Sequence, residues 1–132
     1  MADLLYLTRA ELEGLGLSAA DMTGMLARLL RGRASGETIN TPKRAINRPD
    51  GRLFMAMLSC AEDPPYMAIK SLGLSPSNAE AGMPSIGALV CLHDSRTGHP
   101  LAVMDADWIT GVRTAALSAL AAQSLARPDS AS

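Results

Sequence analysis

The run Asp105-Ala-Asp-Trp-Ile-Thr-Gly-Val-Arg-Thr-Ala-Ala-Leu-Ser-Ala-Leu-Ala-Ala-Gln-Ser-Leu-Ala126 sets the frame for the rest of the chain. Two acids and a threonine precede a train of small and aliphatic residues. That is the pattern of a helix N-terminus, where side-chain oxygens satisfy free backbone amides and negative charge suits the dipole. The spacing predicts a long helix from this point. Its body is mostly Ala, Ser and Leu, so its backbone can lie close to a neighbouring element or ligand. Arg113 is the only cation between Arg96 and Arg127. A guanidinium in an apolar stretch near a helix start needs an anion, and its planar fork suits a carboxylate or phosphate. Two partners are open: Asp105 or Asp107 in a structural bridge, or a bound ligand.

Outward from this helix, residues 100–104 read as the strand that feeds it, and the turn at residues 93–98 carries no apolar residue after His93. Residues 85–92 are a short apolar run and predict a buried strand, while residues 75–84 form a polar loop rich in Pro, Asn and Gly. Residues 66–74 and 52–59 are further extended segments, separated by Asp63-Pro-Pro65. The turn Asn47-Arg-Pro-Asp-Gly51 makes residues 52–59 the returning arm of a hairpin. Its other arm, residues 39–46, is interrupted by Pro42, which cannot donate to a ladder and so marks an edge strand. Near the N-terminus residues 4–7 read as a strand. Thr8 with Glu11 and Ser18 with Asp21 have capping-box spacing for two helices, the second with an apolar face of Met22, Met25, Leu26, Leu29 and Leu30. Arg28, Arg31 and Arg33 near its end read as a solvated face. Three helices and about six mostly antiparallel strands give an α+β fold, one domain spanning residues 1–132.

Composition limits the function. Apolar residues make up 48% and charged ones 19%, with a net charge of -1, so nothing suggests a nucleic-acid surface. Apolar runs are too short to span a bilayer, and the N-terminus has no secretory pattern, which makes the cytoplasm the expected location. Cys60 and Cys91 lie far apart without histidines at ligand spacing and read as reduced thiols, with no metal site expected. Aromatics are only 3% beside 8 methionines, a composition for an adaptable core finished by packing against something else. Lys70, in Met67-Ala-Ile-Lys-Ser-Leu-Gly73, is either on a solvated face or in a site that wants a cation. Arg44, in Thr41-Pro-Lys-Arg, reads as a surface charge, as do His93 and His99 in their turn. Glu62, Asp63 and Glu80 sit in loops with no paired acid at a telling spacing.

The segments "MDADWITGVRTAALSALAAQSLARPDS", "KSLGLSPSNAEAGMPSIGALV" and "NTPKRAIN" together resemble the ornithine cyclodeaminase and mu-crystallin family, whose members carry an Arg-Thr-Ala-Ala signature, here Arg113 to Ala116. The resemblance covers essentially the whole chain but only the first part of the family's usual length. It implies a substrate-binding and dimerisation domain, with the sheets of two subunits forming a shared barrel. It also implies that Arg44, Lys70 and Arg113 grip an amino-acid or imino-acid carboxylate, with Lys70 polarising the reacting amine or imine. Ser85, where the family often has threonine, together with Arg113 and Thr114 would reach the cofactor, NAD or NADP. Many relatives have Met-Pro where this chain has Met57-Leu58, a change in the wall of the implied pocket. The family's dinucleotide-binding domain would begin where this chain stops, and no Gly-x-Gly-x-x-Gly turn occurs within it. The expectation is therefore an NAD(P)-dependent amino-acid cyclodeaminase, dehydrogenase or imine reductase that is silent as an isolated chain unless a separate Rossmann-domain chain completes it. The alternative is a non-catalytic truncated paralogue that binds small carboxylates or dimerises.

Overall fold

The computed structural model describes residues 3–127. Two short-range devices start the first helices. In α1 (Arg9–Glu13) the Glu11 carboxylate accepts from Thr8 N–H at 2.8 Å, and Thr8 Oγ1 accepts from Glu11 N–H at 3.4 Å. In α2 (Ala19–Ser35) Ser18 and Asp21 make the same reciprocal pair at 2.9 and 3.1 Å. Each box satisfies two amides that a helix start leaves free. Gly36, in the left-handed region at φ 87°, ends α2 and turns the chain into the sheet.

The strands are β1 (Leu5–Leu7), β2 (Thr38–Asn40), β3 (Arg44–Asn47), β4 (Leu53–Ala61), β5 (Tyr66–Leu74), β6 (Ile86–Asp94) and β7 (Pro100–Asp105). They form one sheet in the order β1-β7-β6-β5-β4-β2, with β3 also paired to β4. Every pairing is antiparallel except β1 with β7. The fold is α+β with a mostly antiparallel sheet. The structure has one more strand than expected, because the arm over residues 39–46 is split at Pro42 into β2 and β3, both lying along the same edge of β4. The loop over residues 75–84 is more ordered than its composition suggests. It holds a 3-10 helix, Pro76–Ala81, closed by Asn78 Nδ2 donating to the Pro84 carbonyl at 2.9 Å.

Directly opposed residues in a pleated sheet share a face. The register therefore puts Met57, Lys70, Val90 and Met104 on one face, with Met55, Leu72 and Ala88 beside them. This is the face that carries the helices. Leu72 and Ala102 are buried there, and Ala106 and Ala116 are buried where α3 (Asp107–Leu125) comes down on it. Gly32 of α2 meets the sheet so closely that an added Cβ would stand 2.8 Å from Thr38 Oγ1. No helix among the described residues is long and apolar enough to cross a membrane.

The opposite face is bare. Ile39, Ile46, Phe54, Leu58, Ile69 and Leu89 all lie on it, and Ile46 and Phe54 are 65% and 55% exposed. No large side chain is fully buried anywhere among the described residues. The chain exposes 9231 Å², whereas a compact monomer of 13.8 kDa exposes about 6,600 Å² by the usual scaling.

Candidate functional site

The site is built where α3 begins over the middle of the sheet. β7 delivers the chain to Asp105, whose carboxylate accepts from Asp107 N–H at 3.0 Å. Asp107 in turn accepts from Ala88 N–H of β6 at 2.9 Å, and Ala106 N–H donates to the Ala88 carbonyl at 3.0 Å. The two acids read from the sequence thus start the helix and pin it to β6. Neither forms an ion pair with Arg113; the ion pairs among the described residues are Arg9–Glu13, Arg52–Asp50 and Arg96–Asp94. Of the two partners the sequence left open for Arg113, the structural bridge does not form. Arg113 also sits in the second turn of α3 rather than the first, so its pull on an anion is its own and not that of the free amides.

Lys70 stands in the middle of β5, between Met57 and Val90. Its side chain is half-buried, and its Nζ is shielded from water with no hydrogen-bond partner among the described residues. An ammonium in that position lacks the compensation that buried charges normally have. Burial pushes its pKa down, and the positive charges of Arg113 and Lys43 push it further the same way, with Asp107 opposing them. Arg113 is exposed and makes no ion pair or side-chain hydrogen bond among the described residues. The charge of Arg113 on the helix thus reaches Lys70 on the strand, and neither cation is in an ion pair among the described residues. A carboxylate within hydrogen-bond reach of the Lys70 ammonium would lift its desolvation cost.

The other expected site residues fall as follows. Arg44 opposes Ala56, so by register it belongs to the bare face, and it is not among the charges acting on Lys70; Lys43, which the sequence reading did not single out, is. Ser85 is exposed just ahead of β6, and its carbonyl accepts from Ser75 N–H at 2.9 Å. It lies five residues along the ladder from the level of Lys70, roughly 17 Å away at the usual rise per residue. Thr114 is exposed on α3 and its hydroxyl donates to the Thr110 carbonyl at 2.7 Å. Arg113 also lines an apolar hollow of about 230 Å³ between the three helices, walled by Leu12, Met22, Leu26, Trp108 and Ile109. A larger hollow, about 670 Å³, is elsewhere, around Phe54, Gly73, Gly87, Arg48 and Arg52. Volume alone would select it, but its Arg52 is already paired with Asp50, while the unpaired, sheltered ammonium is Lys70.

This fold is an α+β module that carries two cations without ion-pair partners, Lys70 and Arg113, on its helix-bearing side. The chain belongs to the ornithine cyclodeaminase/mu-crystallin family, whose model it matches over residues 3–132. It is 35% identical over 130 residues to an alanine dehydrogenase of Archaeoglobus fulgidus, covering 97% of this chain and 38% of that protein. Among solved structures it resembles the Δ1-pyrroline-2-carboxylate reductase of Thermococcus litoralis in complex with NADH and L-proline. That likeness has a TM-score of 0.88 and 34% identity over 96% of this chain and 39% of that one. It also resembles an archaeal alanine dehydrogenase dimer with bound NAD, with a TM-score of 0.89 and 33% identity over 97% of this chain and 39% of that one. The chain spans about two fifths of the length of these relatives.

Proposed function

We propose that this chain is the substrate-binding and dimerisation part of an NAD(P)-dependent enzyme acting on a small amino or imino acid, by cyclodeamination, dehydrogenation or imine reduction. The observation that carries the reading is the water-shielded, partnerless Nζ of Lys70 within reach of the charge of an Arg113 that forms no ion pair among the described residues. In this reading Arg113 holds the substrate carboxylate through its fork. Lys70 donates a hydrogen bond to the same acid and stabilises electron density building on the adjacent amine or imine centre. Arg44, on the edge strand, is the third cation the family resemblance assigns to this carboxylate.

The nicotinamide group supplies or accepts the hydride when bound, and this chain meets it with few groups. Gly111 has open space where a Cβ would be, and Thr114 lies on the same exposed stretch of α3. Ser85 makes no side-chain hydrogen bond with another described residue and is free to give one to a ligand. No glycine-rich phosphate turn is present in these 132 residues, so the chain alone holds no dinucleotide in the usual manner and is catalytically silent by itself. A separate chain carrying such a domain would complete it.

The bare sheet face is the dimer surface in this reading. Its apolar residues and the surplus of exposed area over a compact monomer fit a second copy packed sheet to sheet. Two widely spaced free thiols, Cys60 and Cys91, agree with a cytoplasmic protein. The test of the site is a titration of the chain with pyrrole-2-carboxylate and with pyrrole-2-carboxamide, followed by NMR. The acid is expected to bind and shift the Lys70 and Arg113 side-chain signals, and the amide is not. Equal binding of both, or shifts confined to other residues, would overturn the assignment.

A further inference from the structure

The groups that surround Lys70 on the helix-bearing face are apolar. Across the sheet it stands between Met57 and Val90, and along β5 the residues that share its face are Ala68 and Leu72. The acid whose charge reaches it, Asp107, accepts from Ala88 N–H, and Asp105 accepts from Asp107 N–H. A second ammonium brought here by a ligand would meet hydrocarbon and cations.

Next to Lys70 the same face opens into a hollow of about 340 Å³ between the sheet and the two longer helices, walled by Leu26, Leu29, Leu30, Leu117, Ser59 and Ala68. Two spacings fix its place. Ala68 is two residues from Lys70 on β5, roughly 7 Å along the strand on the same side. Leu117 is four residues past Arg113 on α3, one turn further on the same side of the helix. The hollow therefore lies one pleat from one cation and one turn from the other. Arg33 is the charged residue in its lining, and none of the described residues that line it is an acid.

We infer that this hollow receives the side chain of the acid whose carboxylate Lys70 and Arg113 hold, so that the substrate is an amino or imino acid with an extended apolar side chain and no second amine. This rests on the reading of Lys70 and Arg113 given above and names the substrate class for it. A hydrocarbon tail gains by leaving water for these walls, whereas a terminal ammonium would give up its hydration with no anion to replace it and would face Arg33. A substrate without a second amine has nothing on its side chain with which to close a ring. Of the reactions proposed above, that leaves dehydrogenation and imine reduction.

Acetate, hexanoate and 6-aminohexanoate share one head group and differ in the tail. Each is titrated into the chain with its two lysines labelled with 13C at Cε, and the Lys70 signal is followed. Each methylene taken fully out of water is worth about fourfold in affinity, so hexanoate, with its tail partly covered, should bind about ten- to a hundredfold more tightly than acetate. 6-Aminohexanoate should bind no more tightly than acetate. Ala68→Phe fills the hollow and should remove the advantage of hexanoate; should that variant fail to fold, the three ligands on the wild type decide alone. Hexanoate no tighter than acetate, 6-aminohexanoate as tight as hexanoate, or an advantage of hexanoate that survives in Ala68→Phe overturns the assignment of the hollow and leaves the carboxylate site standing. Absence of a response at Lys70 to all three acids overturns both.

Discussion

Replacing Lys70 with methionine should make the protein more stable and less able to bind. The ammonium is shielded and unpaired, so the folded state carries the cost of a buried polar group without a partner, in general about 1–3 kcal/mol. The side chain is only half-buried, which puts the expected gain in Lys70→Met at the low end, about 1 kcal/mol. For 132 residues the unfolding entropy converts this into a rise in Tm of about 4 °C, read by calorimetry at fixed protein concentration because a dimer's Tm depends on it. The sign with pH follows from the lowered folded pKa. Between that value and the ordinary 10.5 the unfolded chain binds more protons than the folded one, so wild-type stability rises with pH through this window and the advantage of the variant shrinks. In parallel, loss of a charged hydrogen bond to the ligand should weaken carboxylate binding by about ten- to a hundredfold. A less stable Lys70→Met variant, or one that binds pyrrole-2-carboxylate as well as wild type, would refute the reasoning.

Other outcomes follow from the fold. Gly24→Ala, on the exposed side of α2 with open space around it, should add about 0.5–1 kcal/mol in urea unfolding through helix propensity alone. Gly32→Ala gains the same propensity but drives a methyl to 2.8 Å from Thr38 Oγ1, and overpacking of about 1–3 kcal/mol should make it a net loss. Glu11, Asp21 and Asp94 all have pKa values lowered by hydrogen bonds, first from Thr8, Ser18 and Thr97 respectively. Their stabilisation is present above the ordinary 3.8 to 4.5 and is lost as pH falls through the lowered values. An acid unfolding curve for Ser18→Ala should therefore be shallower than for wild type over that range. Phe54→Glu on the bare face should convert a dimer to a monomer in light scattering while leaving the helix content by circular dichroism unchanged.

Much of the architecture was legible because it is local. Thr8 with Glu11 and Ser18 with Asp21 satisfy their own amides, and Asp-Gly at 50–51 turns a hairpin, so short sequence windows carry these elements. The split at Pro42 was legible as an interruption but not as a change of register, since whether a strand bulges depends on its partner's pairing. The apolar neighbours of Lys70 gave no sign of which face it occupies, because both faces of this sheet are apolar and alternation is lost. Likewise the acids at 105 and 107 read equally as helix starters or partners for Arg113, and only the bond from Asp107 to Ala88, a contact 19 residues apart, separates these roles. The resemblance named Arg44, Lys70 and Arg113, and the geometry supplies a reason for attending to the last two, which is that neither is in an ion pair among the described residues, while the register of Arg44 opposite Ala56 assigns it to the other face.

The central claim is that Lys70 is an ammonium held in readiness for an acid. Its side-chain titration, followed by the 13Cε signal with and without pyrrole-2-carboxylate, tests this most directly. A Lys70 pKa below the ordinary 10.5 in the free protein, rising when the acid is added, is the predicted result. A Lys70 that titrates at the ordinary value and ignores the acid would contradict it.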